Sequence, residues 1–204
     1  GHLLAWPDGS VEGDQSLIPT LLPLVAAEPL PASSAELQTR PGADVFLEVF
    51  SLPPTLTIVG AVHIAVPLAT MAQVLGFHVR LVDARRVFAT RERFPDVDDL
   101  VVGWPQEALT PEALRPQDAL VVLTHDPKFD VPAVAAGLRS AVGYIGLLGS
   151  TTTQAKRHAA LRDEGFDDED LLRIHGPVGL DLGGRRPAEI AVAILAEIIA
   201  VHNA

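Results

Sequence analysis

The chain has 204 residues, with 15 Lys and Arg against 26 Asp and Glu for a formal net charge of −11; without a basic run it lacks the electrostatic footprint of a nucleic-acid binder or of a protein drawn to an anionic membrane. It has no cysteine, which excludes disulfides, zinc–thiolate sites, iron–sulfur clusters and a cysteine nucleophile. Hydrophobic residues reach 48% while aromatics are only 5%, so Ala, Val and Leu must fill the core, the composition of helices packed on a parallel sheet.

Residues 1–51 read differently from the rest, as a short N-terminal cap region and linker. Asp8-Gly9 predicts a tight turn between two short extended segments, Leu3 to Trp6 and Ser10 to Glu12. Leu17 to Ala27 is apolar but interrupted by Pro19 and Pro23, and Pro29 to Ala43, rich in Pro, Ser and Ala, reads as a linker. Val45 to Ser51 alternates well enough for one strand, which Pro53-Pro54 ends.

From residue 52 onward the period is clear. Leu56 to Val59 predicts a buried strand ending at Gly60, and Ile64 to Leu75 a helix closed by Gly76. Val79 to Asp83 is a second strand, Leu100 to Val102 a short third and Asp118 to Thr124 a strong buried one. Val131 to Ser140 predicts a helix, Tyr144 to Leu148 a strand, Thr153 to Glu164 a polar helix, and Pro187 to Val201 an apolar helix with Pro in its first turn. This alternation predicts an α/β, Rossmann-like, doubly wound parallel sheet over 52–204. No apolar run is long enough to span a bilayer and no signal peptide is evident, so the cytoplasm is the expected compartment.

Ligands of open parallel sheets bind beyond the carboxyl ends of the strands, and four such ends carry unusual residues. Gly60-Ala61-Val62-His63-Ile64-Ala65 joins a strand to a helix, and Asp83 ends the next strand, the context of a dinucleotide fingerprint. Asp83 is placed to accept from a ribose hydroxyl. The second glycine of that fingerprint is replaced by Val62, whose side chain is expected to obstruct a pyrophosphate; a plain strand–turn–helix is the alternative. Asp83-Ala84-Arg85-Arg86 sets two guanidinium groups beside the carboxylate, either to read a phosphate or as a solvated patch. Thr124-His125-Asp126 makes His125 and Asp126 the candidate catalytic pair for acid–base work, with Asp126 as a simple turn cap the alternative. Gly149-Ser150-Thr151-Thr152-Thr153 leads into a helix bearing Lys156 and Arg157, which suits either a second anion or only a well-capped helix start. A glycine-dense loop, Gly176 to Gly184, carries Asp181. Glu189 and Glu197 stand in apolar surroundings on the last helix, and solvent exposure is the expectation for both.

Seven segments occur in the order of the XdhC/CoxI family, which the chain resembles over about Val45 to Ala200: Gly60 to Ala65, Val82 to Arg85, Arg93-Phe94-Pro95, Leu123 to Asp126, Tyr144 to Ser150, Pro177 to Gly183 and Pro187 to Ala191. The resemblance implies an accessory factor for molybdenum hydroxylases of the xanthine dehydrogenase or CO dehydrogenase type. Such a factor binds molybdenum cofactor (molybdopterin or its nucleotide form), assists its sulfuration and helps insert it into the apo-enzyme. A cysteine desulfurase and a second copy of the chain are the further partners implied, and net chemistry by the chain itself is not. Carried over position by position, the cofactor-facing residues are Gly60, His63, Asp83, Arg85, Thr124, Gly149, Ser150, Asp181 and Glu189, with His125 and Asp126 beside them. No metal ligand is expected. An NAD(P)-dependent oxidoreductase on the same fold, or a Rossmann module mediating protein contacts, are the competing readings.

Overall fold

The computed structural model describes residues 2–6, 10–19, 35–40, 43–47 and 52–203. The chain divides into two compact units, Gly1–Leu52 and Pro53–Ala204. In the first, β1 (Leu3–Ala5) pairs antiparallel with β2 (Val11–Gly13), and β3 (Ala35–Arg40) pairs antiparallel with β4 (Ala43–Leu47). The second strand pair corrects the linker reading over Ala35–Arg40 and at Ala43; the rest of Pro29 to Ala43 lies outside the described residues. The segment Ala35-Glu36-Leu37-Gln38-Thr39-Arg40 has too few apolar residues to announce a strand, and it is the partner strand that satisfies its backbone. Of the strand expected over Val45 to Ser51, residues 45–47 belong to β4. The Asp8-Gly9 turn and most of the Leu17 to Ala27 stretch lie outside the described residues.

The second unit is built on β5 (Thr55–Val59), β6 (His78–Val82), β7 (Asp99–Val101), β8 (Ala119–Val122), β9 (Tyr144–Leu147) and β10 (Ile174–His175). These run in the order β10-β9-β8-β5-β6-β7, and every pairing is parallel. The chain works outward from β5 to β7, crosses back to place β8 beside β5, and works outward again to β10. Connections leave β5 and β8 toward opposite edges, so a crevice opens between their carboxyl ends. This is the expected Rossmann-like architecture.

The helices are α1 (Ala65–Val74), α2 (Pro105–Ala108), α3 (Pro127–Leu138), α4 (Thr151–Asp163), α5 (Asp168–Leu171) and α6 (Pro187–His202). Because side chains alternate across a strand, a sheet covered on both faces needs apolar residues at nearly every position. Leu56, Ile58, Leu81, Val121 and Leu123 pack with α1 and α6, while Val59, Val82, Leu120, Val122 and Leu147 pack with α3 and α4. Helix α3 starts at Pro127, a turn earlier than expected from Val131, because Asp126 caps it by accepting the Lys128 N–H at 3.0 Å. Pro132 is tolerated inside the helix at the loss of one backbone bond. The short elements α2, α5 and β10 are too brief to leave a periodic signal.

Candidate functional site

Asp83 follows β6 and is fully buried. Its Oδ2 accepts from the Ala61 N–H at 2.8 Å and Arg85 Nη2 at 2.7 Å. Its Oδ1 accepts from the Arg85 N–H at 2.8 Å and Nε at 2.9 Å. Four donors fill the lone-pair positions of a carboxylate. No oxygen is left for a ribose hydroxyl, which corrects that expectation: Asp83 pins the loop after β5 to the loop after β6. Burial pushes its carboxyl up, but the bonds from Arg85 and Ala61 outweigh this and hold it below the ordinary aspartate value. The carbonyl of the same Ala61 accepts from Arg93 Nη1 at 2.9 Å, and the same nitrogen donates to Phe88 O at 2.8 Å. The Gly60 loop is thus gripped on both sides of one residue.

A carboxyl with a depressed folded-state pKa contributes stability above its unfolded pKa and loses it as pH falls through the folded value. The Asp83 pin should therefore be complete at neutral pH and weaken only as pH falls below the ordinary aspartate value, about 3.9. Asp83→Asn is expected to cost about 1–3 kcal/mol for each buried donor it leaves unpaired and to flatten the acid limb of a stability–pH curve. An unchanged acid limb in that variant would remove the pin from the account.

Gly60 has φ +110°, and a Cβ there would stand 2.5 Å from Thr124 Cγ2. Glycine is required here by the chain's own packing. Val62 is half-buried with its side chain packed against the core beneath α1, so the obstruction expected from it is reduced. His63 is exposed.

Thr124 is buried, and its hydroxyl donates to Asp130 on α3. Asp130 in turn is ion-paired with Arg157 of α4, and both side chains are buried. Arg157 also donates to Thr124 O at 2.9 Å and Leu148 O at 2.6 Å. Burial pushes the Asp130 carboxyl above the ordinary range against the pull of Thr124 and Arg157. The linkage sign is opposite to that of Asp83: a raised carboxyl loses stability as pH rises through its folded value. Gly149, with φ +143°, would bring a Cβ to 2.7 Å from Arg157 Nη1. Both glycine loops therefore rest on one buried Thr124–Asp130–Arg157 network. Arg157, carried on the helix start that suits either a second anion or a simple cap, is thus committed inside the protein.

His125 and Asp126 are exposed at the rim. No hydrogen bond joins them among the described residues, and Asp126 serves as the cap of α3. Ser150 caps α4, accepting from the Thr153 N–H at 3.3 Å. Arg85 stays at the crevice, its side chain 39% exposed. The sequence does not single out Arg93 and Asp130 as site residues. Arg93 stands only within the Arg93-Phe94-Pro95 segment, and Asp130 has no mark beyond its distance of one helical turn from Asp126.

The model of the XdhC Rossmann domain matches residues 56–198. The chain belongs to the XdhC family. It is 33% identical over 199 residues to a probable xanthine dehydrogenase subunit of Bacillus subtilis, covering 98% of this chain and 54% of that protein. It is 31% identical over 84 residues to the molybdenum cofactor insertion chaperone PaoD of Escherichia coli, covering 41% of this chain and 26% of the other. A crystal structure of a xanthine dehydrogenase from Bacillus halodurans superposes with a TM-score of 0.64 at 30% identity, over 75% of this chain and 44% of that one. The chain spans about half the length, or less, of these relatives.

In this XdhC domain the glycine-dense loop and last helix are tied differently from the crevice loops. Asp181 is exposed and accepts from the Gly183 N–H at 3.2 Å. Glu189 is exposed as expected, but it folds back on the start of α6, accepting the N–H groups of Arg185 at 2.9 Å and Arg186 at 3.0 Å. Those bonds hold its carboxyl below the ordinary glutamate value. Glu197 corrects the solvent-facing expectation. Its side chain is 17% exposed and its Oε2 accepts from the Tyr144 hydroxyl at 2.5 Å and the Gly179 N–H at 2.8 Å. Helix α6 is thereby braced to β9 and to the loop. Among the described residues no helix is long and apolar enough to cross a membrane.

Proposed function

We propose that this XdhC domain is part of an accessory factor that binds molybdenum cofactor at the carboxyl ends of β5, β6 and β8, assists its sulfuration and delivers it to a molybdenum hydroxylase. The cofactor is cargo here. The observation that carries the reading is the pair of loops at Gly60 and Gly149, fixed by Asp83 and by the Thr124–Asp130–Arg157 network, with Arg85 part-exposed and His125 exposed at these strand ends. A preorganised, water-accessible seat of this kind with cationic and imidazole donors suits a phosphate-bearing pterin. The name of the Escherichia coli relative supports the same assignment. With no cysteine in the sequence, no thiol of these residues can carry sulfur to the cofactor, and a cysteine desulfurase is a fitting partner.

The oxidoreductase alternative is weakened by Asp83, whose oxygens are committed to the chain. A nicotinamide dinucleotide would lose the ribose contact on which such sites rely. The deciding experiment is gel filtration of the full chain after incubation with molybdenum cofactor, and separately with NADP(H). Cofactor retained by the unaltered chain and lost with His125→Ala supports the proposal. Retention of NADP(H) alone overturns it.

A further inference from the structure

Four exposed apolar side chains of this unit share one end of the sheet. Val87, Phe88, Val102 and Trp104, exposed by 77%, 42%, 41% and 38%, all follow the carboxyl ends of β6 and β7. Two of them, Phe88 and Trp104, present rings, and both connect to the part-exposed Arg85 guanidinium, Trp104 by way of the Phe129 ring, which is itself buried. The Arg85 guanidinium lies 4.7 Å from the Phe88 ring centroid and 5.4 Å from that of Phe129. Phe129 in turn lies 4.8 Å from Trp104, the planes tilted by 30°. Exposed rings gathered around a guanidinium point to a binding site, whereas single exposed apolar residues need no explanation.

We propose that this cluster is a stacking platform for the planar nitrogen heterocycle of an anionic ligand, a pterin or a nucleobase. The inference rests on the crevice being the cofactor site. Two features select such a ligand over a flat apolar partner. The first is the fixed orientation of Arg85: two bonds to buried Asp83 lock its plane, and a locked guanidinium plane stacks on heterocycles as aromatic rings do. The second is charge. Arg85 is paired with Asp83 and faces Asp126, but Arg93, 6.0 Å from the Phe88 ring centroid, adds a cation at this lip of a chain of net charge −11, which favours an anion here over the rest of the surface. Asp83 bonds both Arg85 and Ala61, so the platform adjoins the Gly60 loop through a single carboxylate. Since Asp83 reads no ribose, the ring is held by its faces, and the platform accepts any flat heterocycle whose phosphate reaches the loop.

The sequence has two tryptophans, so Trp6→Phe leaves Trp104 as the sole reporter in the full chain. Its emission is titrated with neopterin monophosphate, with GMP and CMP, and with ribose 5-phosphate as a ring-free control. A saturable quench by a ring-bearing probe and none by ribose 5-phosphate is the expected result, and the probe that saturates tells pterin from nucleobase. Adding Phe88→Ala, at an exposed position that the fold does not need, should weaken binding about tenfold, in line with the loss of one stacked ring. No saturable quench by any probe, an equal quench by ribose 5-phosphate, or unchanged affinity in Phe88→Ala each overturns the platform. Whole cofactor retained equally with and without Phe88→Ala sinks the platform and leaves the proposed function standing. Quenching by a nucleotide in a chain that retains no cofactor does the reverse.

Discussion

Arg157→Met is expected to destabilise the Pro53–Ala204 unit more than any surface change. It leaves the Asp130 carboxylate buried without its counter-ion, and breaking a buried pair from one side costs about 3–5 kcal/mol. In a chain of this size each kcal/mol moves the melting midpoint by about 2–4 °C, so the shift should be roughly 6–20 °C. Thermal unfolding followed through Trp104 measures it. The reverse arm is informative. Pairing Arg157→Met with Asp130→Leu removes both charges and should recover much of the loss, because apolar replacements of a buried pair are often neutral. It should not recover ligand retention, since the carbonyls of Thr124 and Leu148 lose the guanidinium that holds their loops. A single variant that costs under about 1 kcal/mol would behave like a surface pair and would remove the network from its assigned role.

Gly60→Ala is the second large effect. The residue sits at φ +110° with Thr124 Cγ2 where its Cβ would go. Backbone strain of this kind costs about 1–3 kcal/mol, and the clash adds to it by forcing Thr124 to move. Combining Gly60→Ala with Thr124→Ser removes Cγ2 but keeps the hydroxyl bonded to Asp130. That pair should recover the steric part and leave the strain, a difference visible in the denaturant midpoint. If Gly60→Ala is neutral and still retains cofactor, the loop is not the rigid support described above.

The layout of the second unit was legible because each strand is a short apolar run and the long helices are bounded by punctuating residues. Leu56 to Val59 and Ala119 to Val122 are apolar or β-branched throughout, and Ser150 and Pro187 mark helix starts. The polar strand Ala35–Arg40 was not legible, since nothing in its own residues distinguishes it from a loop. At the strand ends, residue types drew attention to Asp83 and the Gly60 and Gly149 loops, but not to how the structure ties them. Asp83 looked like a ligand reader and is an internal pin. Arg157 stands on a helix start that suits either an anion or a simple cap, and it is a buried cation. Neither role is visible locally, for one cause: hydrogen-bond saturation depends on partners far along the chain. Asp130 and Arg157 meet only after α3 and α4 have packed, and local spacing carries no trace of that meeting.

The strand order β10-β9-β8-β5-β6-β7 has a thermodynamic consequence. Most neighbours in the sheet are joined by a single crossover, but β8 returns to β5 only after the whole of β6 and β7 has been laid down. That seam carries the largest loop-closure cost in the sheet. The crevice opens along the seam, with Gly60 on one bank and Gly149 on the other. A ligand bridging the two banks holds the seam shut and binds only the folded chain. At a hundredfold excess over its Kd it stabilises that state by about 2.7 kcal/mol. The empty domain is then the fragile one, opened more often along its midline and cut more readily by proteases. Under the proposed function, the loaded chain is therefore expected to resist proteolysis better than the empty one.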